Sequence, residues 1–507
     1  MKNLSKIISL TLIFILLLST VLLASCSKPM VDLSGESDNE SELNISGSGY
    51  IIKTEIKDGC IWVTYSNNPD TPVNIGPLSD DSLNSLDNTL LFHPLSTGAY
   101  GVTIGTGKHL EEIVIPAEYN GTPVTEILED GFSGCKNLKK ITIPNTIKNI
   151  GDNAFAGCGE LEYNKHDNAL YLGNEENPYL ILVKAVNTTI TRCTVNENAF
   201  AICDNAFAGC KNLTTIDIKN VKVIGSYAFK NCSSLTDDIV IPEGSSHIGP
   251  ETFFGCTKIK KVTIPASVTN IGYKAFANCT SLETVNIAKN SELTGFANAV
   301  FHQCKALKKI TIPKGVKYIG DEQANELTHG VFSRCEALAE VTFEEGSQLD
   351  KIGGFAFYSC KSLTKITLPD TLITLGQSAF KDSDKLESIK IPNNITNIPS
   401  EAFFACKALT TVTFGTNLIK ISANAFNTCD SLESIALPKS LATIEKKAFY
   451  TKNAVLTSVT MDESNLNGWY VIEEDGTPKS LSNADLGDPA KMAKILTTDH
   501  YECDISR

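Results

Sequence analysis

Cysteine is the residue type in this sequence with the greatest capacity for chemistry, because thiols form disulfides, bind metals and act as nucleophiles. The chain has 16 cysteines among 507 residues. Most of them share one position, three residues after a recurring phenylalanine: Cys135, Cys158, Cys210, Cys232, Cys256, Cys279, Cys304, Cys335, Cys360, Cys406 and Cys429. Ser383 and Lys452 occupy this position in two further copies. A position that accepts Ser requires a small side chain, so we predict a column of buried thiols that act as small apolar groups.

Two other uses of these thiols depend on their spacing. Adjacent copies would lie roughly 5 Å apart, within the Cα range of a disulfide, so pairing between neighbours stays open. A metal site is not expected, because one ligand per copy along a line does not close a tetrahedron. Cys60, Cys193, Cys203 and Cys503 lie outside the column and are predicted to be the more reactive thiols.

Catalytic signatures are missing from the sequence. It contains no phosphate-binding glycine loop, His-Glu-x-x-His, Cys-x-x-Cys or Gly-x-Ser-x-Gly motif. The histidines are scattered and are expected at the surface or in terminal caps: His93, His109, His166, His247, His302, His329 and His500. We therefore expect no enzymatic activity, no cofactor and no metal.

A second pattern, suited to binding, lies on short predicted strands of the form Leu-x-x-Ile-x-Ile-Pro. Because side chains alternate along a strand, the residues between the apolar ones point outward together. These outward positions form columns of lysine and threonine: Lys140, Thr142, Lys261, Thr263, Lys309, Thr311, Lys365, Thr367 and Lys390. They are our candidate ligand face, for an extended acidic or hydroxyl-rich partner. The simpler alternative is an ordinary solvated strand surface, where both residue types are common.

The elements that position these columns repeat with a fixed period. Phe357, Phe380, Phe403, Phe426 and Phe449 are 23 residues apart each time. Such a period is typical of a leucine-rich-repeat solenoid, in which each coil buries its apolar face against its neighbours. We predict an α/β solenoid of about 13–14 coils with short parallel strands and short helical turns. In many coils an Ile-Gly or Leu-Gly pair comes ahead of the repeated Phe, and this glycine indicates close backbone approach.

The domain boundaries are set by where the period starts and stops. The solenoid is predicted over residues 110–461, with an inserted hairpin within 163–186 and an extended loop at 321–330. A small β-rich N-terminal cap is predicted at 50–109, beginning with a hairpin that turns at Asp58-Gly59. An α+β C-terminal cap with a hairpin and one short helix is predicted at 462–507.

The N-terminus predicts the location of the protein. Residues 1–25 have a basic start, an apolar run and small residues before Cys26, which are the parts of a secretory signal peptide. The end of this segment, Leu23-Ala24-Ser25-Cys26, resembles the lipobox of bacterial lipoproteins, which implies a lipid on Cys26. The alternative is an uncleaved membrane helix over Ile7–Ala24. Residues 26–49 are polar and are predicted to be a flexible tether. In either case the body lies outside the cytoplasm.

The formal net charge of −14 argues against nucleic-acid binding, which needs a basic surface. The motif Ile-Gly-x-x-Ala-Phe-x-x-Cys-x-x-Leu, repeated from about Leu110 to Met461, resembles the BspA-like class of leucine-rich-repeat surface proteins. That resemblance implies a bacterial surface protein, with an adhesin as the leading function and an extracellular protein or glycan as the partner. The alternatives are a carbohydrate-binding accessory lipoprotein and an envelope spacer without a ligand. We expect a monomer.

Overall fold

The computed structural model divides the chain into two compact units, Met1–Thr89 and Leu90–Arg507. The structure describes these residues: 51–57, 60–65, 68–77, 89–321, 324, 329–452, 455–461, 468–472, 478–499 and 504–506. The predicted signal peptide, the tether, Cys26 and most of the loop at 321–330 lie outside the described residues. The predicted domain boundaries therefore stay predictions.

The first unit contains a three-stranded antiparallel sheet. Its strands are Ile51–Lys57, Cys60–Tyr65 and Asn68–Pro77. Lys57 pairs with Cys60, which confirms the predicted hairpin. The Asp58-Gly59 turn itself lies outside the described residues.

The second unit is a parallel-strand solenoid of about 15 turns of ~23 residues with little helix. Each coil contains a strand that we call the A strand, a shorter B strand, and a turn segment around the repeated Phe. The A strands follow the Ile-x-Ile pattern, and many of them stop at a proline, which lacks the N–H that a continuing ladder needs. They span Glu112–Val114, Lys140–Thr142, Arg192–Thr194, Thr215–Asp217, Ile239–Val240, Lys261–Ile264, Thr284–Ile287, Lys309–Ile312, Glu340–Phe343, Lys365–Ile366, Ser388–Lys390, Thr411–Thr413, Ser434–Leu437 and Ser458–Met461.

The B strands form a second parallel ladder. They span Thr122–Ile127, Asn149–Ile150, Ala201–Ile202, Val223–Ile224, His247–Ile248, Asn270–Ile271, Gly295–Phe296, Tyr318–Ile319, Lys351–Ile352, Thr374–Leu375, Asn397–Ile398, Lys420–Ile421 and Thr443–Ile444. Ahead of the first coil, the antiparallel strands Leu90–Pro94 and Tyr100–Ile104 join this ladder, because Tyr100–Ile104 runs parallel to Thr122–Ile127. A short 3-10 helix (Thr106–His109) and the strand Glu118–Tyr119 complete this end.

The turn segments are not the short helical turns that the sequence predicted. In most coils the residues two before and two after the repeated Phe have positive φ, as at Asn205 (57°) and Gly209 (74°), which interrupts any helix. This backbone directs every second N–H toward the following coil. Phe207 N–H, for example, donates to Ala228 C=O at 2.7 Å. The turn segments therefore form a third ladder, the turn ladder, in which N–H groups of one coil always donate to carbonyls of the next.

The repeated phenylalanines fill the core between the ladders. From Phe207 to Phe449 their rings are stacked with centroid distances of 5.1 to 5.6 Å and nearly parallel planes. Phe207 and its successors are fully or almost fully buried. The repeated Phe is therefore the large side chain that fills the core of each coil.

The glycines that directly follow B strands confirm the predicted close approach of neighbouring coils. A Cβ atom on Gly376 would lie 2.2 Å from the backbone nitrogen of Gly354, and one on Gly151 would lie 2.2 Å from that of Glu129. Most of these glycines have an ordinary φ, and Gly320 (77°) is an exception.

The predicted insertion contains the expected hairpin, Ala169–Leu172 with Ile181–Ala185, preceded by the strand Asn164–His166. It also acts as an extra coil. On the A side, Ile143 N–H donates to Gly173 C=O, and on the B side Ile181–Leu182 pairs with Ala201–Ile202. It contributes no Ala-Phe turn segment, so the Phe stack and the turn ladder are interrupted here. The insertion helps to explain why there are more turns than predicted.

The C-terminal region ends the solenoid with mixed structure. Strands Tyr470–Ile472 and Pro478–Ser480 form the predicted hairpin, and Asp504–Ser506 connects this hairpin to the last B strand. Two short helices come after the hairpin, α1 (Asn483–Leu486) and α2 (Pro489–Lys494), where the sequence predicted one, and a π-helical turn spans Ile495–Asp499. Among the described residues, no helix has the length and apolar character needed to cross a membrane.

Candidate binding surface

The candidate ligand face falls mainly on one continuous sheet. Eight consecutive A strands, from Ile239–Val240 to Thr411–Thr413, are hydrogen-bonded in order, and we call their outward surface the strand face. The predicted residues on it are Lys261, Thr263, Lys309, Thr311, Lys365, Thr367 and Lys390. Thr367 directly follows its strand, and all of these side chains are exposed or half-buried.

Strand pairing defines two outward columns on the strand face. Along the first column the paired residues are Lys261, Thr284, Lys309, Glu340, Lys365, Ser388 and Thr411. The lysines therefore lie on every second strand, roughly 10 Å apart given the usual strand spacing. Lys390 belongs to the second column, with Thr413 as its partner. The sequence predicted the columns and not this alternation.

Lys140 and Thr142 lie elsewhere. Their strand pairs with Glu112–Val114 in a separate two-stranded sheet. On its other side the insertion contributes Gly173, which bridges to Thr142. The structure thus does not bring these two residues together with the rest of the predicted face, because the insertion separates the first coils from the later ones.

The lysines of the strand face differ in their neighbours. Lys261 Nζ lies 3.8 Å from Asp238, and Lys390 Nζ lies 3.9 Å from Asp370, both in exposed positions. Lys309 and Lys365 form no ion pair with any described residue. Exposed pairs contribute at most about 1 kcal/mol, so none of these ammonium groups is strongly held. They are available to an acidic partner.

The threonine hydroxyls also contact one another. Thr311 and Thr342, which are paired across neighbouring strands, have their Oγ1 atoms 3.0 Å apart. A hydroxyl in such a pair donates once and still accepts, so the column offers both donors and acceptors.

A groove that sequence reasoning missed lies at the start of the strand face. The A strand Thr215–Asp217 does not pair with Ile239–Val240, because the carboxylate of Asp237 accepts the N–H of Ile216 at 3.1 Å. The opening has a volume of about 530 Å³ and is lined by Val240, Pro242 and Thr263 among others. Val240 is 57% exposed. The only sequence signal was the spacing of 24 residues between Phe229 and Phe253.

The cysteine column is buried as predicted, and all thiols whose side chains the structure describes are free. The structure adds a hydrogen bond that the sequence did not suggest. Cys335 Sγ donates to the carbonyl of Phe301 at 3.1 Å, and Ser383 Oγ donates to that of Phe357 at the same distance. Burial raises the pKa of the thiols, to about 12 at Cys279. The column is therefore a structural feature with little thiolate character.

The structure does not support the prediction that Cys193 and Cys203 are reactive thiols. Cys193 is buried, and burial, with Asp167 nearby, raises its pKa to about 12, while burial and Asp204 raise that of Cys203 well above its usual value. Neither environment favours the thiolate, on which thiol reactivity depends. The side chains of Cys60 and Cys503 lie outside the described residues.

His302 is not a surface residue. It is 4% exposed, its ring stacks on that of His329 at 4.0 Å, and a hydrogen bond of 2.6 Å joins its Nδ1 to Ser333 Oγ. Among the described residues no group of three or more His, Cys, Asp or Glu side chains is arranged to hold a metal ion.

Comparison with known proteins agrees with this geometry. The chain matches the BspA type leucine-rich repeat region, in six copies, over residues 106–176, 185–290, 222–325 and 325–455. No curated protein matches the chain. Similar solved structures include a leucine-rich repeat protein from Bacteroides ovatus, at 23% identity over 74% of this chain and 88% of that chain, with a TM-score of 0.45.

Two further solved structures are similar to the chain. One is a leucine-rich cell surface protein from Faecalibacterium prausnitzii, at 24% identity over 74% of this chain and 94% of that chain, with a TM-score of 0.34. The other is the pneumococcal vaccine antigen PcpA, at 16% identity over 81% and 82%, also with a TM-score of 0.34. The sequence match covers most of the repeats described above, and the chain belongs to the BspA-type leucine-rich repeat family.

Proposed function

We propose that this protein is displayed on a bacterial cell surface, anchored by a lipid on Cys26, and that it binds an extracellular macromolecule as an adhesin. Family membership supports an interaction role, because solenoids of this kind expose long surfaces and enclose no large site. The N-terminal sequence supports export and anchoring.

The observation that carries this proposal is the alternation of lysines along the strand face. Lys261, Lys309 and Lys365 lie on every second strand of one sheet, on a chain whose net charge is −14. A row of ammonium groups about 10 Å apart suits an extended partner with carboxylates, or other anionic groups, at a similar spacing. The hydroxyl column beside it would supply hydrogen bonds to the same partner.

The groove at the start of the strand face adds an apolar contact. Val240 is exposed there and lies next to Thr263 in strand register. A partner that fills the groove with an apolar side chain would gain binding energy that charge pairs at the rim do not supply. We therefore favour an acidic protein segment with at least one apolar anchor.

The decisive experiment compares two triple charge reversals in residues 27–507. The variant K261E/K309E/K365E changes the strand face. The control K136E/K211E/K361E makes the same charge change at exposed lysines that each directly follow a cysteine of the cysteine column. Binding is measured against immobilised extracellular matrix proteins and a glycan array. We expect the strand-face variant to bind its partner about 10- to 100-fold more weakly, at roughly 0.5–1 kcal/mol per contact.

The outcomes separate the candidate functions. Equal loss in both variants would show that only net charge matters and would refute a role for the strand face. Binding to glycans alone would favour the carbohydrate-capture alternative. Trp469, the described tryptophan of the C-terminal cap, is only 1% exposed and gives that alternative no support.

A further inference from the structure

The turn ladder is open beside Phe155, inside the described part of the solenoid. The sequence Asp-Asn-Ala-Phe-Ala-Gly-Cys occurs twice without change, at 152–158 and at 204–210. In the second copy, Phe207 N–H and Gly209 N–H both donate to carbonyls of the following coil at 2.7 Å. In the first copy, Phe155 N–H and Gly157 N–H have no acceptor among the described residues. The same seven residues thus form a closed rung in one coil and an open edge in the other.

The insertion creates this open edge. It occupies the A and B positions of the coil after Phe155 and provides no turn segment to face it. In a regular stack the carbonyl of Ala206 would accept the N–H of Phe155. Here Ala185 N–H of the insertion donates to that carbonyl at 2.8 Å instead. Ladder edges with unpaired N–H groups are templates for another backbone.

The ring of Phe155 is also incomplete in its packing. It stacks on Phe132 with a centroid distance of 6.1 Å, and no second aromatic ring among the described residues covers its other side. Phe229, by contrast, lies between Phe207 and Phe253 at 5.2 Å from each. Phe155 is accordingly half-buried, whereas Phe207 is fully buried.

These groups line a cleft of about 410 Å³, a volume in the range of ligand sites. The cleft is bounded by Phe155 and Gly157 on one side and by Val183 and Lys184 of the insertion on the other. Tyr163 also lines it, and Lys184 Nζ lies 4.6 Å from the centre of the Tyr163 ring. The cleft therefore combines apolar walls, one cation and two free backbone donors.

Asp204 shows what chemistry the open edge accepts. Its Oδ2 accepts the N–H of Asn153 at 2.6 Å, at the rung where the other coils supply a backbone carbonyl. Burial raises the pKa of this carboxyl to about 6, with hydrogen bonds from Asn153 and Ser226 acting in the opposite direction. Of the three N–H groups at the open edge, that of Asn153 is thus paired with a side-chain oxygen. The N–H groups of Phe155 and Gly157 remain for the oxygen acceptors of a ligand.

We propose that this cleft binds a short peptide segment of a partner protein, whose main chain adopts the turn-segment conformation and completes the turn ladder. The carbonyls of two residues spaced i and i+2 accept from Phe155 N–H and Gly157 N–H, as Ala228 and Lys230 carbonyls accept from Phe207 and Gly209. The residue between them is aromatic and stacks on Phe155, as each repeat Phe stacks on the next. This is recognition by backbone addition at a ladder edge, with one side-chain pocket. It is a site apart from the strand face.

The test uses amide hydrogen exchange on the purified chain, with the two identical segments as an internal control. Their intrinsic exchange rates are equal, so any difference reports structure. In the free protein, Phe155 and Gly157 amides should exchange much faster than Phe207 and Gly209 amides. The probe is acetyl-Asn-Ala-Phe-Ala-Gly-amide at up to about 10 mM, enough to reveal a dissociation constant of about 1 mM. At that affinity it should slow Phe155 and Gly157 exchange about tenfold and leave Phe207 and Gly209 unchanged.

Two matched changes isolate the aromatic contact. The peptide with Ala in place of Phe, and the variant Phe155→Leu with the original peptide, should each lose most of the tenfold protection. The closed copy at 205–209 reports whether Phe155→Leu retains the fold. No protection by the Phe peptide would overturn the proposal, as would equal protection by the Ala peptide. Equal exchange of both copies in the free protein would overturn the open edge itself.

Discussion

The hydrogen bond of the cysteine column makes a prediction that size alone does not. Cys335 and Ser383 are both fully buried, and each donates at 3.1 Å to the carbonyl of the Phe one coil earlier. If the position required only a small apolar group, Cys335→Ala should be tolerated at least as well as Cys335→Ser. Ser383→Ala should likewise be tolerated at least as well as Ser383→Cys. If the hydrogen bond contributes, Ser should be the better replacement for Cys.

The magnitude comes from the two parts of the interaction. A net intramolecular hydrogen bond contributes about 1 kcal/mol, and the buried sulfur, comparable to a methylene, contributes roughly another 0.8 kcal/mol. Cys335→Ala loses both and should destabilise its coil by about 2 kcal/mol. Cys335→Ser keeps the hydrogen bond and should cost about half as much. Ser383→Ala should cost about 1 kcal/mol, and Ser383→Cys should be nearly neutral.

The assay must report one coil, because a long repeat array does not unfold as a single unit. Hydrogen exchange of the Phe301 and Phe332 amides, which donate across the turn ladder beside Cys335, gives the local free energy of opening. For the Cys335 variants the Phe380 and Phe403 amides, at least two coils away, are the control that should not change. For the Ser383 variants the Phe357 and Phe380 amides report the local opening, and the Phe253 and Phe276 amides are the control. If Ala proves as stabilising as Ser at both positions, the hydrogen bond contributes nothing and the position selects for size alone.

Two further predictions concern acid stability and anchoring. Burial, with His329, Arg334 and Lys274 nearby, lowers the pKa of His302 to about 3 from an ordinary value of 6.5. The unfolded chain therefore binds this proton more readily than the folded chain. This contribution to stability is fully present above pH 6.5 and falls by about 2 kcal/mol between pH 7 and pH 5. Hydrogen exchange of the Phe301 and Gln303 amides, corrected for the pH dependence of intrinsic exchange, should show this decline, and His302→Gln should flatten it. Cys26→Ser should move the protein from the membrane to the soluble fraction of fractionated cells, and persistent membrane association of this variant would favour the uncleaved helix over a lipid.

The repeat geometry was accessible from the sequence because the period is strict. Five phenylalanines at 23-residue spacing, and the prolines after Ile-x-Ile, specify a coil that packs only against its neighbours. The glycines that follow the B strands were correctly attributed to close approach. Pro399 occupies the same position in one coil, and proline cannot take a positive φ, so the position does not require one.

Other features depended on backbone geometry that side-chain patterns do not encode. Residues with positive φ beside the repeated Phe include Tyr227, Glu251 and Lys274, which carry no glycine-like signal. The turn ladder was for this reason predicted as short helical turns. The open edge beside Phe155 was equally hidden, because residues 152–158 and 204–210 are identical and only the coils on their C-terminal side differ.

The single direction of hydrogen bonding in the turn ladder has a consequence for assembly. Because N–H groups of each coil donate toward the C-terminal side, the peptide dipoles of this ladder add along the stack instead of cancelling. One end of the ladder then offers acceptors and the other offers donors, so a two-fold contact between like ends would oppose carbonyl to carbonyl or N–H to N–H. Any self-association through this ladder must run head to tail, which is the geometry of filaments and rings.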